Sequence, residues 1–487
     1  MEFSTIITFI IYILGMLWIG FYFYKKTNDL SDYVLGGRGL NPAVAALSAG
    51  ASDMSGWLLL GLPGALYLSG LNQMWIGIGL VIGAYLNWLI VAGRLRVYTE
   101  KLENAITIPD YFENRFNDTG RLLRATSAVV ILLFFTLYIA SGLVAGAVLF
   151  KNSFGMDYET ALFVGSFVIV SYTFLGGYNA VSWTDFVQGI LMLLALLAVP
   201  VVVMANLGDP AAVAAAIEAK GGFYLDPWYE VTAMGFISLM AWGMGYFGQP
   251  HILARFMSVN RVENIPLARR INMGWMILAL IGALMTGIFG VAYFTEPLGN
   301  PETVFILFTQ TLFNPWIAGI LLAAILSAIM STIDSQILVC SSTLTEDIYK
   351  SFLKKDAGQK ELVWIGRITV VLIAVIAVSM AMNPESSILD LVSYAWAGFG
   401  AAFGPAVLFS LFWRSMSKEA ALAGMLSGTV TVLVWKQLEG GIFEIYELLP
   451  AFLIASAAIY LTGKLRPAPK HVESTFDTCL NVHKGVK

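Results

Sequence analysis

Residues 42–69 read PAVAALSAGASDMSGWLLLGLPGALYLS, an apolar run long enough to cross a bilayer, with Asp53 near its centre. An ionisable side chain at membrane depth costs about 2.5–3.5 kcal/mol on insertion scales, which makes its default reading a functional one. Gly50, Ser52, Ser55 and Gly56 surround it, and small residues of this kind loosen a helix. A helix interrupted at that depth leaves backbone carbonyls free to hold a cation. The stretch reads as part of a transporter.

The rest of the chain supplies the membrane setting. Hydrophobic residues make up 58% of the 487 and charged ones 12%, more apolar surface than a soluble protein can hide. Thirteen apolar segments are read as spans: 5–24, 42–69, 74–92, 122–150, 158–177, 183–206, 231–256, 271–294, 315–343, 361–382, 386–413, 419–438 and 442–462. With that count, 25 of the 28 Lys and Arg residues fall on one side, from Lys25, Lys26 and Arg38 to the tail ending at Lys487. Only Lys151, Lys220 and Lys436 fall on the other. The positive-inside rule then puts the N-terminus outside and the C-terminus in the cytoplasm. The basic loops are explained by topology, so they do not argue for nucleic acid. The first span lacks a basic leader and a small-residue cleavage site, and is read as a retained helix. Cys340 within a span and Cys479 in the tail do not face each other in this arrangement, so no disulfide is expected.

A second interrupted segment, 231–256, carries Gly243, Gly245, Gly248 and Pro250. It lies five spans after the Asp53 segment, and paired broken spans at corresponding positions point to inverted repeats of five helices with the site between them. The repeats are placed at 42–206 and 231–413. The first helix and inner loop (1–41) and the last two helices (414–465) are peripheral, followed by a cytoplasmic tail (466–487) too short for an output domain. The stretch 207–230 is the longest outer loop and is read as a lid.

In 315–343, Ala328, Ser331, Thr332 and Ser335 recur at i, i+3, i+4 and i+7, on one helical face. Hydroxyls and loosened carbonyls suit a hard cation, and helix packing is the competing reading of the same stripe. Asp334 adjoins this face, and Asp185 follows the Gly176-Gly177 break; a helix N-terminal role, a partner for a buried cation and a second ion site stay open for them. Trp242 and Tyr246, at i and i+4 beside the second break, with Tyr138 in mid-span, form an aromatic wall suited to a small, partly apolar solute. His251 is read as structural, and Gly142 with Gly146 as a packing pair.

The stretches ALSAGASDMSGW, AVSWTDFVQ, WGMGYFGQPHILARFM, LAAILSAIMSTIDSQ and AWAGFGAAFGP, in that order, closely resemble the sodium:solute symporter family, in particular its bacterial proline-transporting members. The likeness runs over nearly the whole chain. It implies an all-α membrane protein of thirteen transmembrane helices in the LeuT-type 5+5 inverted-repeat fold, sited in the bacterial inner membrane. It further implies sodium-coupled uptake of L-proline by alternating access. Sodium would be held by Ala51 and Met54 carbonyls with Ala328, Ser331 and Thr332. Substrate contacts would come from Ser55, Gly56, Trp57, Tyr138, Trp242, Tyr246, Gln249 and Pro250. Asp53 and Arg38 would serve coupling, and Asp185, Asp334 and Ser335 resemble a second sodium site. A monomer suffices for this scheme. Another small carboxylate such as pantothenate is the competing cargo, and a transporter-fold sensor the competing class. An intramembrane protease is disfavoured, because the three aspartates lack a GxGD-type arrangement and no nucleophile–base pair is visible.

Overall fold

The computed structural model describes residues 3–25, 29–173, 177–382 and 387–486; Lys26, Gly176 and Lys487, used in the sequence reading, lie outside them. The protein is all-α. Among the described residues the only β feature is one isolated bridge between Leu40 and Val259. Nine helices there are long and apolar enough to cross a membrane. Others of the expected segments appear as the shorter helix Tyr158–Thr173, the helix Lys418–Trp435 and two helices broken at their centres.

Burial separates the centre from the periphery. In Pro315–Leu353 and in Ile388–Phe412, 83% of the most apolar stretch is buried, against 17% in Phe3–Tyr24. Apolar residues all round a helix mean protein on all sides when buried and lipid when exposed. The outer helix Phe3–Tyr24 leans on the central helix, Pro315–Ser342, where Thr5 Oγ1 donates to the Pro315 carbonyl (3.3 Å), and on Tyr178–Leu207, where Gln188 Nε2 donates to Tyr12 Oη (2.8 Å). Gly142 faces Ile333 so closely that a Cβ would lie 2.8 Å from that side chain, so the helix Leu122–Phe154 packs directly on the central helix.

The two breaks form for local reasons. The helix Pro42–Asp53 starts on an Asn41 cap and ends where Met54 turns out of helical geometry (φ −89°, ψ 82°), before helical structure resumes at Trp57. In the second, Ala233–Ala241 tightens into a 3₁₀ segment, Trp242–Gly248; Gln249 is extended and Pro250 starts the next helix, Pro250–Ser258. Proline fits there because a first-turn N–H has no intrahelical partner to lose. The glycines of this segment admit close approach: a Cβ on Gly245 would lie 1.9 Å from Trp396 Nε1.

The tail folds back as a helix, Lys470–Val486, beside Ala92–Lys101. Arg414 anchors it to Asp477 (2.9 Å) and Glu473 (2.7 Å), and Tyr98 meets Phe476 edge to face. The Arg414 hydrogen bonds hold the Asp477 carboxyl below its ordinary pKa. Both cysteines are free and buried.

Candidate functional site

The first break and the central helix meet at one carbonyl. Ser331 Oγ donates to the Ala51 oxygen at 2.7 Å, and Thr332 Oγ1 reaches the same oxygen at 3.5 Å. Both hydroxyls also lie 3.2 Å from the Ala328 carbonyl. Helix geometry explains this: Ser331 and Thr332 follow Ala328 by three and four residues, and the C-terminal end of Pro42–Asp53 presents unpaired carbonyls to that face. The donor set of Ala51, Ala328, Ser331 and Thr332, with Met54 beside the break, is all oxygen and uncharged, as suits a hard monovalent cation. The negative end of the helix dipole adds to it.

Asp53 joins the two breaks. Its side chain is 2% exposed. Tyr246 Oη, from the second break, donates to Asp53 Oδ2, and Asp53 Oδ1 has no hydrogen-bond partner among the described residues. Trp57 Nε1 (3.3 Å) and Tyr138 Oη (3.5 Å) donate to the Asp53 main-chain carbonyl. Ser55, Trp57, Tyr138, Trp242 and Tyr246 are all buried around this point. Gly56 packs where a Cβ would meet Ala145 at 2.8 Å, so the restarted helix sits against both Leu122–Phe154 and the central helix.

Sequence reading passed over several residues here. Trp396 meets Tyr246 edge to face with ring centres 5.0 Å apart, and its Nε1 donates to the Trp242 carbonyl at 2.8 Å. Gln249 Nε2 donates to the Trp396 and Gly245 carbonyls (3.2 Å each), and its Oε1 has no partner among the described residues. Trp242 stacks on Tyr446 at 5.4 Å, and Asn87 Nδ2 donates to the Tyr246 carbonyl at 2.8 Å. Trp396 lies inside the motif AWAGFGAAFGP. Asn87, an amide within an apolar span, was the other available signal. Pro250 serves here as the start of the inner half-helix, and His251 packs edge-on against Phe135.

Asp185 and Ser335 come together, and the guanidinium of Arg255 stands between them. Arg255 Nη2 lies 3.0 Å from Asp185 Oδ2 and 2.6 Å from Ser335 Oγ; Ser48 Oγ donates to Asp185 at 2.6 Å. Arg255, inside the motif WGMGYFGQPHILARFM, was not assigned a role from sequence. Asp334 is fully buried in the central helix.

Arg38 lies at the basic end of the molecule. Its guanidinium donates to Asn104 Oδ1 (2.8 Å), Thr99 Oγ1 (3.1 Å), and the carbonyls of Met257 (2.8 Å) and Ala105 (2.7 Å). It thus ties the first basic loop to the end of the second broken helix. Burial, helped by the nearby Arg96 charge, lowers its pKa to about 10, so it stays cationic at neutral pH.

Comparison with known proteins gives the family and the fold. The family model described as "Sodium:solute symporter family" matches residues 33–428. The chain belongs to that family. It is 55% identical over 478 residues to the sodium/proline symporter of Escherichia coli K12, covering 96% of this chain and 95% of that protein. It is 52% identical to the high-affinity proline transporter PutP of Bacillus subtilis, covering 93% and 96%. Among solved structures it is similar to a Na⁺-coupled sialic acid symporter, with a TM-score of 0.81 at 20% identity, covering 96% of this chain and 99% of that one. That likeness shows the fold, which is LeuT-like.

Proposed function

We propose that this protein is a sodium-coupled symporter that takes up L-proline by alternating access. The observation that carries the reading is the convergence of Ser331 and Thr332 on the Ala51 carbonyl, beside the Asp53–Tyr246 link between the two breaks. Sodium held by Ala51, Met54, Ala328, Ser331 and Thr332 would fasten the first broken helix to the central one. The restarted helix from Ser55, Gly56 and Trp57 would then offer its positive end to the proline carboxylate. Tyr138, Trp242 and Tyr246, with Gln249, would enclose the pyrrolidine ring. Identity above half to sodium/proline symporters supports proline over pantothenate.

The repeats are 42–206 and 231–413 in this scheme, within thirteen spans and a functional monomer. The N-terminus is outside, and the C-terminus lies on the cytoplasmic side of a bacterial inner membrane. Arg38 couples the inner loops to the second broken helix. Asp185 and Ser335, bridged by Arg255, with Asp334 nearby, stand where a second ion would have to displace a guanidinium. Proline is a zwitterion, so a cycle carrying one sodium moves one net charge. At 100 mV that charge is worth about 2.3 kcal/mol, and a tenfold sodium gradient adds about 1.4. Accumulation of several hundredfold follows. The test is radiolabelled proline uptake into proteoliposomes, with and without an inward sodium gradient, wild type beside Ser331→Ala/Thr332→Ala. Sodium-driven uptake, with the half-saturating sodium concentration raised in the variant, is expected; a variant with unchanged sodium dependence overturns the assigned ion site.

A further inference from the structure

A cleft of about 640 Å³ opens where the helix running on through Asn87–Val91 into Ala92–Lys101 leaves its apolar stretch. Its walls include Leu89, Ile90 and Phe412, which are 47%, 37% and 44% exposed. Arg94 and Arg269 line the same cleft. The Arg94 guanidinium lies 4.0 Å over the Phe412 ring and donates one N–H to the Leu411 carbonyl at 2.7 Å. Arg269 lies 5.4 Å over Tyr85. These contacts, a ring and a carbonyl for Arg94 and a ring for Arg269, leave both charges unneutralised, and among the described residues neither forms an ion pair. The lining also includes the exposed carboxylate of Glu263 and, from the tail helix, His483.

We propose that this cleft binds an anionic phospholipid, its phosphodiester between Arg94 and Arg269 and an acyl chain along Leu89, Ile90 and Phe412. Charge complementarity selects the occupant. Two guanidiniums without carboxylate partners call for an anion, and an exposed apolar wall in the same cleft calls for a hydrocarbon chain. A phospholipid carries both, whereas a free phosphate uses only the arginines. Glu263 repels surplus negative charge, which favours a singly charged diester.

The experiment is thermal melting of the full-length purified protein in detergent, titrated with phosphatidylglycerol, phosphatidylcholine or inorganic phosphate. Phosphatidylglycerol raises the melting temperature of the wild type; the other two do not. Arg94→Gln with Arg269→Gln needs about thirtyfold more phosphatidylglycerol for the same shift. Lys355→Gln with Lys360→Gln, on an exposed basic stretch outside the cleft, titrates like the wild type. Glu263→Gln, a change at an exposed position that does not depend on the arginine variant folding, binds phosphatidylglycerol more tightly. An equal response to phosphatidylcholine, a shift with inorganic phosphate alone, an unaffected arginine double variant, or weaker or unchanged binding by Glu263→Gln overturns the proposal.

Discussion

Removing the Tyr246 hydroxyl tests whether the two broken helices act as one unit. Tyr246→Phe keeps the ring against Trp396 and deletes only the donor to Asp53 Oδ2. Asp53 Oδ1 already lacks a partner among the described residues, so the buried carboxyl group is left without a side-chain hydrogen bond. A hydrogen bond to a charged group is worth about 1.5–3 kcal/mol, which corresponds to roughly tenfold to 150-fold in an equilibrium. Asp53 ends the helix whose Ala51 carbonyl meets Ser331 and Thr332, so the loss appears as weaker sodium binding. The assay is the half-saturating sodium concentration for proline uptake in proteoliposomes, measured for the wild type, Tyr246→Phe, Asp53→Asn and the double variant. At least a tenfold rise is expected for Tyr246→Phe. The double variant should be little worse than Asp53→Asn, with a coupling of about 1 kcal/mol or more. Additive effects to within about 0.5 kcal/mol would refute the link as the element that sets the ion site.

Gly243→Ala puts a Cβ 2.1 Å from the Gly79 carbonyl oxygen, and because that obstacle is backbone the variant should lose about 1–3 kcal/mol or more, read as a lower melting temperature in detergent. A melting temperature equal to wild type would show that the two segments separate freely. Burial raises the Glu302 pKa to about 6, although its Oε1 accepts the Ile388 N–H at 2.9 Å. The folded protein therefore binds the proton more tightly than the unfolded chain, and ionising Glu302 costs stability as pH rises from about 4.5 to 6. Glu302→Gln, which keeps the carbonyl acceptor, should remove that part of the slope in melting curves taken across pH 4.5–7. Parallel wild-type and variant curves would exclude the effect.

Local sequence was enough to find the breaks. Glycine, serine and proline weaken a helix wherever it sits, and a carboxylate in an apolar run is costly whatever surrounds it, so Asp53 and the interrupted 231–256 segment were visible from local sequence alone. The face formed by Ala328, Ser331 and Thr332 was equally legible, because three- and four-residue spacing fixes a helical face without any partner. What those features touch was not. Ser331 meets Ala51 across 280 residues and Tyr246 meets Asp53 across 193, pairings that exist only once the helices pack. Arg255 between Asp185 and Ser335 shows the same limit: a single arginine in a basic-ended helix reads as topology until its neighbours are known. Trp396 and Asn87 acquire their roles only from carbonyls of the second break. The sequence thus determined the membrane class, the interrupted helices and the hydroxyl-bearing face proposed to hold the ion, because these follow from backbone propensity and the cost of burying polar groups. Tertiary packing decided which oxygens converge beside the first break and which side chains bridge the two breaks, because close approach between distant segments depends on the shape of both surfaces.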